Sequence, residues 1–167
     1  MAMPSSARRK PPIASEMPAS YAASPDGSLT YVDTSVWMAL LAREAPAPAL
    51  TLWLGSAPAL CCADWTQVEM ASTLGIKHRR GEISMDAAQS ICSVFSSMMT
   101  YQIREIALGA PDMASARSLC LDMERGLRSA DALHLAAALR FQCSHFFSFD
   151  HNLNRNAELA GLRLTTL

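Results

Sequence analysis

Lysine is nearly absent: Lys10 and Lys77 are the only two in 167 residues. A receiver-like regulatory domain, which needs a lysine late in the chain, is excluded on that ground. Charge of one sign is lacking as well. Fourteen Lys and Arg stand against fifteen Asp and Glu, a formal net charge of −1, and the pI is near 6.4. That balance argues against a protein that holds nucleic acid by a general positive field. It leaves room for one that meets nucleic acid through a bound metal. No run reaches the about 18 apolar residues that a bilayer span needs, so a transmembrane protein is not expected, nor a membrane partner. Regular cysteine spacing is missing too. The cysteines at 61, 62, 92, 120 and 143 are odd in number and form no CxxC. A disulfide framework and a thiolate zinc site are therefore not expected. Reduced thiols suit the cytoplasm. Cys61 and Cys62 lie in an apolar run and read as small core residues.

What is present is apolar: half of the residues are hydrophobic, enough to bury a core and to rule out a wholly disordered chain. The length suits one domain of about 100–200 residues. The composition breaks once, near residue 28. Residues 1–28 hold five of the nine prolines and six serines, with no apolar periodicity. They read as a disordered Pro/Ser/Ala-rich tail. Arg8, Arg9 and Lys10 form a small basic cluster there, but the residues after it are not the apolar run of a twin-arginine signal. A start of translation at Met17 is compatible with this pattern. The domain proper is 29–167.

In that domain, short apolar runs alternate with helical patterns. Strands are expected at Leu29 to Val32, Ala59 to Ala63, Tyr101 to Ala107, His145 to Phe149 and Leu162 to Thr165. Helices are expected at Thr34 to Arg43, Ala47 to Leu54, Trp65 to Arg80, Ser84 to Met99, Pro111 to Glu124, Ser129 to Gln142 and Asn152 to Ala160. Asp64 reads as an N-cap that forms a capping box with Gln67, and Gly81 as a helix stop. Parallel strands require such crossovers, with helices over both faces. The fold expected is α/β, a three-layer α/β/α sandwich on a parallel sheet of four or five strands.

Four acids occupy uncomfortable positions. Asp33 and Asp150 each follow an apolar strand, where functional groups of parallel sheets gather; each also suits a helix N-cap. Glu69 falls on or beside the apolar stripe of its helix, and a buried carboxylate needs a partner. Asp131 opens a helix that is apolar almost all round, where the helix dipole favours an acid. Arg128 is the one basic residue close to any of them in sequence. If the fold gathers these acids, their repulsion calls for a divalent cation. Carboxylates without thiols or paired imidazoles suit Mg2+ or Mn2+, one or two ions. Thr34, Ser35 and Ser148 are hydroxyls placed to support the acids. His134 reads as a satisfied core histidine. Trp37, Trp53 and Trp65 read as core or dimer-interface residues, and His151 as surface or substrate-facing. A haloacid-dehalogenase-type phosphotransferase also starts from an aspartate after a strand. Its second aspartate, two residues on, is replaced here by Ser35.

The motifs resemble a family. Tyr31-Val32-Asp33-Thr34-Ser35-Val36-Trp37 looks like the opening of a PIN domain, and Gln67-Val68-Glu69-Met70-Ala71 is similar to its second acidic segment. Leu127 to Ala136, around Asp131, resembles the third, and Phe147 to Leu153, around Asp150, the fourth. The resemblance covers residues 29–167, and at this size it points to VapC-type toxins of bacterial toxin–antitoxin pairs. It implies a metal-dependent endoribonuclease whose metal-holding, catalytic acids are Asp33, Glu69, Asp131 and Asp150, the last through water. It implies products with a 5′-phosphate and a 3′-hydroxyl, a homodimer, and a small VapB-like antitoxin that covers the site. Arg79, Arg80, Arg128 and Arg155 are the candidates for RNA phosphate contacts. Two features depart from the family: the long tail, and Asp64 where a serine or threonine is common, which adds a candidate outer ligand. The alternative is a PIN fold that serves as a non-catalytic scaffold.

Overall fold

The computed structural model describes residues 28–57 and 59–167. The tail expected over 1–28 lies, apart from Ser28, outside the described residues. The elements in chain order are β1 (Leu29–Val32), α1 (Thr34–Leu41), α2 (Ala47–Leu54), β2 (Ala59–Ala63), α3 (Trp65–Arg79), α4 (Met85–Tyr101), β3 (Arg104–Ile106), α5 (Ala110–Leu121), α6 (Ser129–Arg140), β4 (His145–Phe147), α7 (His151–Leu159) and β5 (Arg163–Leu164). The five strands form one sheet in the order β3-β2-β1-β4-β5. All four pairings are parallel. Tyr31 on the central strand stands opposite Cys61 on one side and Phe146 on the other.

Strand side chains alternate between faces with a period of two, and the sequence follows that period. Tyr31, Cys61, Ala63, Ile106 and Phe146 enter a core shared with residues of α5, α6 and α7. Val32, Leu60, Cys62 and Phe147 enter the opposite core with residues of α1 to α4. The sandwich therefore has three layers, and the adjacent cysteines belong to different cores. Trp37 is fully buried against Phe95, and Trp53 meets Phe147 edge-on at 4.8 Å between ring centroids.

Helix ends match their local chemistry. Gly81 closes α3 at φ +73°; its N–H bonds to His78 O, and that of Glu82 to Lys77 O. This is the paired pattern that glycine's left-handed freedom permits. Three expectations need correction. The run from Tyr101 to Ala107 is not all strand: α4 continues through Tyr101, the N–H groups of Gln102 and Ile103 both reach Met98 O, and β3 is confined to Arg104–Ile106. The helix from Pro111 ends at Leu121, and a short 3-10 turn, Met123–Arg125, follows, held by Arg125 Nε on Asp122 Oδ2 at 2.9 Å. Asp64 caps α3 without the expected box. Its Oδ1 accepts from Trp65 N and Leu108 N, while the Gln67 amide turns to Glu105. Asp64 thus ties the start of α3 to the segment after β3.

The chain runs outward from β1 through β2 to β3, then returns to β4 on β1's other side. The crevice beyond the ends of β1 and β4 is the point where strand order reverses, the usual ligand position in open parallel sheets. Asp33 follows β1 there, and Asp150 follows β4 closely.

Candidate metal centre

Asp33 is fixed first by backbone. Its N–H donates to Phe147 O at 2.9 Å, extending the β1–β4 ladder, and the residue caps α1. It is 6% exposed. Its Oδ2 accepts from Ser35 Oγ at 2.6 Å, Ser148 Oγ at 2.8 Å and Ser35 N at 3.3 Å. Each serine oxygen accepts in turn, Ser35 Oγ from Phe149 N and Ser148 Oγ from Asp150 N. Two hydroxyls therefore join the turn after β1 to the turn after β4 and leave Asp33 Oδ1 outside that network.

The other acids repeat this division. Asp150 caps α7, with Oδ1 accepting from Leu153 N at 2.7 Å. Asp131, the third residue of α6, accepts at Oδ2 from Arg128 N at 3.4 Å. Glu69, in the second turn of α3, accepts at Oε2 from Thr34 Oγ1 and from His134 Nε2, the latter at 2.5 Å. In each carboxylate one oxygen is held by protein hydrogen bonds; the second oxygen of Asp33, Oδ1, lies 3.5 Å from His134 Nε2.

The electrostatics show that the acids are neighbours. Asp131 has its pKa raised, chiefly by burial, and further by the carboxylates of Asp150 and Asp33. Burial also acts to raise Glu69, but hydrogen bonds from His134 and Thr34 outweigh it, and its pKa is lowered. Burial would lower His134; the Glu69 hydrogen bond and the charges of Asp33, Glu69 and Asp131 raise it instead. Among the described residues, no Lys or Arg forms an ion pair with any of the four acids; their one partner of that kind is His134. One ligand atom each from Asp33, Glu69 and His134 lies within 4.8 Å of the others. Clustered carboxylates with no Lys or Arg partner among the described residues suit a hard divalent ion, so the donor set fits a metal.

The remaining expected residues lie around this centre. Arg128, at the N-terminal cap of α6, and Arg155, in the middle of α7, are both exposed. Arg79 and Arg80 are exposed at the far end of α3. At 1.5 Å per residue they stand about 15 Å along the axis from Glu69. Lys77 nearby is engaged with Glu44 at 3.1 Å and Glu82 at 3.4 Å. His151 is exposed at the first position of α7. Sequence reasoning placed His134 in the core, where it is, but did not connect it to Glu69. The usable signal was its i, i+3 spacing from Asp131, which puts both on one helix face. Tyr31, whose hydroxyl meets His134 Nδ1 at 2.7 Å, gave no signal beyond being apolar and β-prone.

Solved structures share this architecture. VapC20 of Mycobacterium tuberculosis, described as a sarcin-ricin loop cleaving toxin, is similar with 22% identity and a TM-score of 0.62, over 76% of this chain and 94% of that one. VapBC2 of Rickettsia felis, bound to a DNA fragment from its promoter, is similar with 13% identity and a TM-score of 0.58, over 82% and 97%. FitAcB of Neisseria gonorrhoeae has 16% identity and a TM-score of 0.56, over 82% and 96%. At these identities the likeness bears on the fold. No curated protein sequence matches significantly. The sequence model of the PIN domain matches residues 30–159, most of the described chain, and the protein belongs to the PIN domain family.

Proposed function

We propose that the chain is a metal-dependent endoribonuclease, the toxin of a VapBC-type toxin–antitoxin pair, with residues 29–167 as its nuclease domain. The observation that carries this reading is the convergence of carboxylates at the reversal point of a PIN fold, none of them paired with a Lys or Arg among the described residues. The VapC, VapBC and FitAB neighbours support the toxin role. Asp33, Glu69 and Asp131 hold one or two Mg2+ or Mn2+ ions directly, and Asp150 acts through water. Such an ion lowers the pKa of a bound water and neutralises charge growing on a phosphodiester. The protein's part is orientation. Ser35 and Ser148 fix Asp33, Thr34 fixes Glu69, and Arg128 and Arg155 contact RNA phosphates near the centre. Arg79 and Arg80 meet only flanking RNA. A small antitoxin covers the site in the cytoplasm, and the toxin acts as a homodimer.

The test is cleavage of a mixed RNA pool by the purified, partner-free chain, with EDTA, Mg2+ or Mn2+, beside Asp33→Asn and Asp131→Asn. Cleavage that requires metal and is reduced at least a thousandfold in both variants is expected, about 4 kcal/mol of transition-state stabilisation. Folded wild-type protein without cleavage of any RNA class under either metal would transfer the weight to the scaffold reading.

A further inference from the structure

A buried hydrogen-bonded chain runs from the sheet into the metal centre. Ala63 N donates to the Tyr31 hydroxyl at 3.2 Å, Tyr31 meets His134 Nδ1 at 2.7 Å, and His134 Nε2 meets Glu69 Oε2 at 2.5 Å. Tyr31 is 0% and His134 1% exposed, so the Tyr31–His134 bond is shielded from bulk water, while Glu69 at the end of the chain is partly exposed. We propose that His134 is a positioning residue of the centre and not one of its ligands: oriented by Tyr31, it keeps a proton on Nε2, donates to Glu69 Oε2 and leaves Glu69 Oε1 as the ligand atom. The inference rests on the metal-centre reading above and goes beyond it in assigning His134 and Tyr31.

Donor and acceptor counting decides between ligand and positioner. To ligate a metal, His134 Nε2 must offer a bare lone pair, so its proton must sit on Nδ1 and point at Tyr31. The Tyr31 oxygen already receives Ala63 N–H. Its own proton would then have no acceptor in a dry interior, a costly arrangement. The 2.5 Å approach of Nε2 to Glu69 Oε2 is a donor–acceptor contact, which places a proton between them. With the proton on Nε2 every group is satisfied: Ala63 donates to Tyr31, Tyr31 donates to Nδ1, and Nε2 donates to Glu69. Thr34 Oγ1 donates to the same Glu69 oxygen. Two donors on Oε2 hold the carboxylate in one orientation. Outer partners of this kind typically change metal affinity or activity by about 10–100-fold.

The test uses the full chain with Mn2+ as probe. Nitrogen-15 NMR of His134 in the metal-free protein should show Nε2 protonated; an Nδ1-protonated ring would overturn the proposal. Pulsed EPR of the Mn2+ complex should show no directly coordinated imidazole nitrogen; such a signal, lost in His134→Gln, would overturn it. Mn2+ affinity should fall about 10–100-fold in His134→Leu and about 10-fold in Tyr31→Phe. His134→Gln restores an N–H donor and should stay within about threefold of wild type, a rescue expected of a second-layer donor. Equal losses in His134→Gln and His134→Leu would also overturn it. The NMR measurement needs no variant, so a variant that fails to fold leaves the proposal falsifiable. Wild-type protein that binds no Mn2+ at all would instead overturn the metal-centre reading, with the His134 proton still located by NMR.

Discussion

Asp33 takes its geometry from two hydroxyls rather than from its own rotamer alone. Ser35 lies two residues away and was visible in the sequence as part of Asp33-Thr34-Ser35. Ser148 lies 115 residues away, and its suitability was legible only from its place two residues before Asp150. That Ser148 Oγ donates to Asp33 while accepting from Asp150 N follows from the β1–β4 pairing, which a linear reading does not contain. The same limit hid the Tyr31–His134 contact, at a sequence separation of 103. Identity of the acids was readable because a carboxylate after an apolar strand is anomalous by itself. Identity of their supports was not, because a buried tyrosine or histidine is an ordinary core residue until its partner is known. Ser148→Ala tests the support. It removes one of three donors from Asp33 Oδ2 and strands Asp150 N–H. RNA cleavage should fall about 10–100-fold, since outer partners carry effects of that size. Stability should fall by only about 1–2 kcal/mol, the cost of an unmade hydrogen bond at a partly buried group. Parallel cleavage and denaturation measurements separate the two effects.

Among the elements, α5 and α6 are joined by one charged tie. Asp112, 1% exposed, receives Arg140 Nε at 2.5 Å and Arg140 Nη2 at 2.8 Å, and Gly109 N at 2.7 Å. Burial works to raise the Asp112 pKa, but the Arg140 and Gly109 hydrogen bonds outweigh it and lower it. A lowered folded-state pKa places the sign. The stabilisation is fully present above the unfolded aspartate value of about 3.9 and is lost as pH falls through the lower folded value. Asp112→Ala leaves Arg140 unpaired; removing one partner of a buried pair costs about 3–5 kcal/mol. Arg140 is 36% exposed in its side chain, and water discounts the loss to about 2 kcal/mol. Denaturant unfolding at pH 7 should show that loss, and the difference from wild type should shrink as the acid limb is approached. A pH-independent difference would mean lost packing instead. The sequence reading placed α5 at Pro111 to Glu124 and did not connect Asp112 to Arg140. Periodicity located every helix and strand of the described chain, because burial on two faces imposes it. Ends were harder: the break at Asp122 depends on the Arg125–Asp122 bond, and the length of α4 depends on Ile103 reaching the core. Both are tertiary.

Across the whole molecule, the fold gathers negative charge while the chain as a whole is almost neutral. The reversal of strand order brings the turns after β1 and β4 together, and α3 and α6 bring Glu69 and Asp131 to them. Asp131 records the consequence: burial first, then Asp150 and Asp33, hold its pKa up. A raised folded-state pKa has the sign opposite to that of Asp112. The ionised Asp131 opposes folding above its raised value, and that penalty is relieved as pH falls through the raised value toward the unfolded aspartate value of about 3.9. At neutral pH the ionised Asp131 therefore carries an electrostatic penalty, which a bound cation would remove. Two results should follow in thermal unfolding at pH 7. Mn2+ at about a hundredfold over its Kd should stabilise the wild type by about 2.7 kcal/mol through linkage, a rise in Tm of about 8 °C at this size. Asp131→Asn, which keeps shape and removes the charge, should melt higher than wild type in EDTA and gain little from Mn2+. An Asp131→Asn protein that melts lower than wild type in EDTA would show that the carboxylate serves the fold through its bond to Arg128 N, with repulsion the smaller effect. A wild-type Tm indifferent to Mn2+, with Asp131→Asn still raised, would show that the penalty exists and that no cation of this kind relieves it.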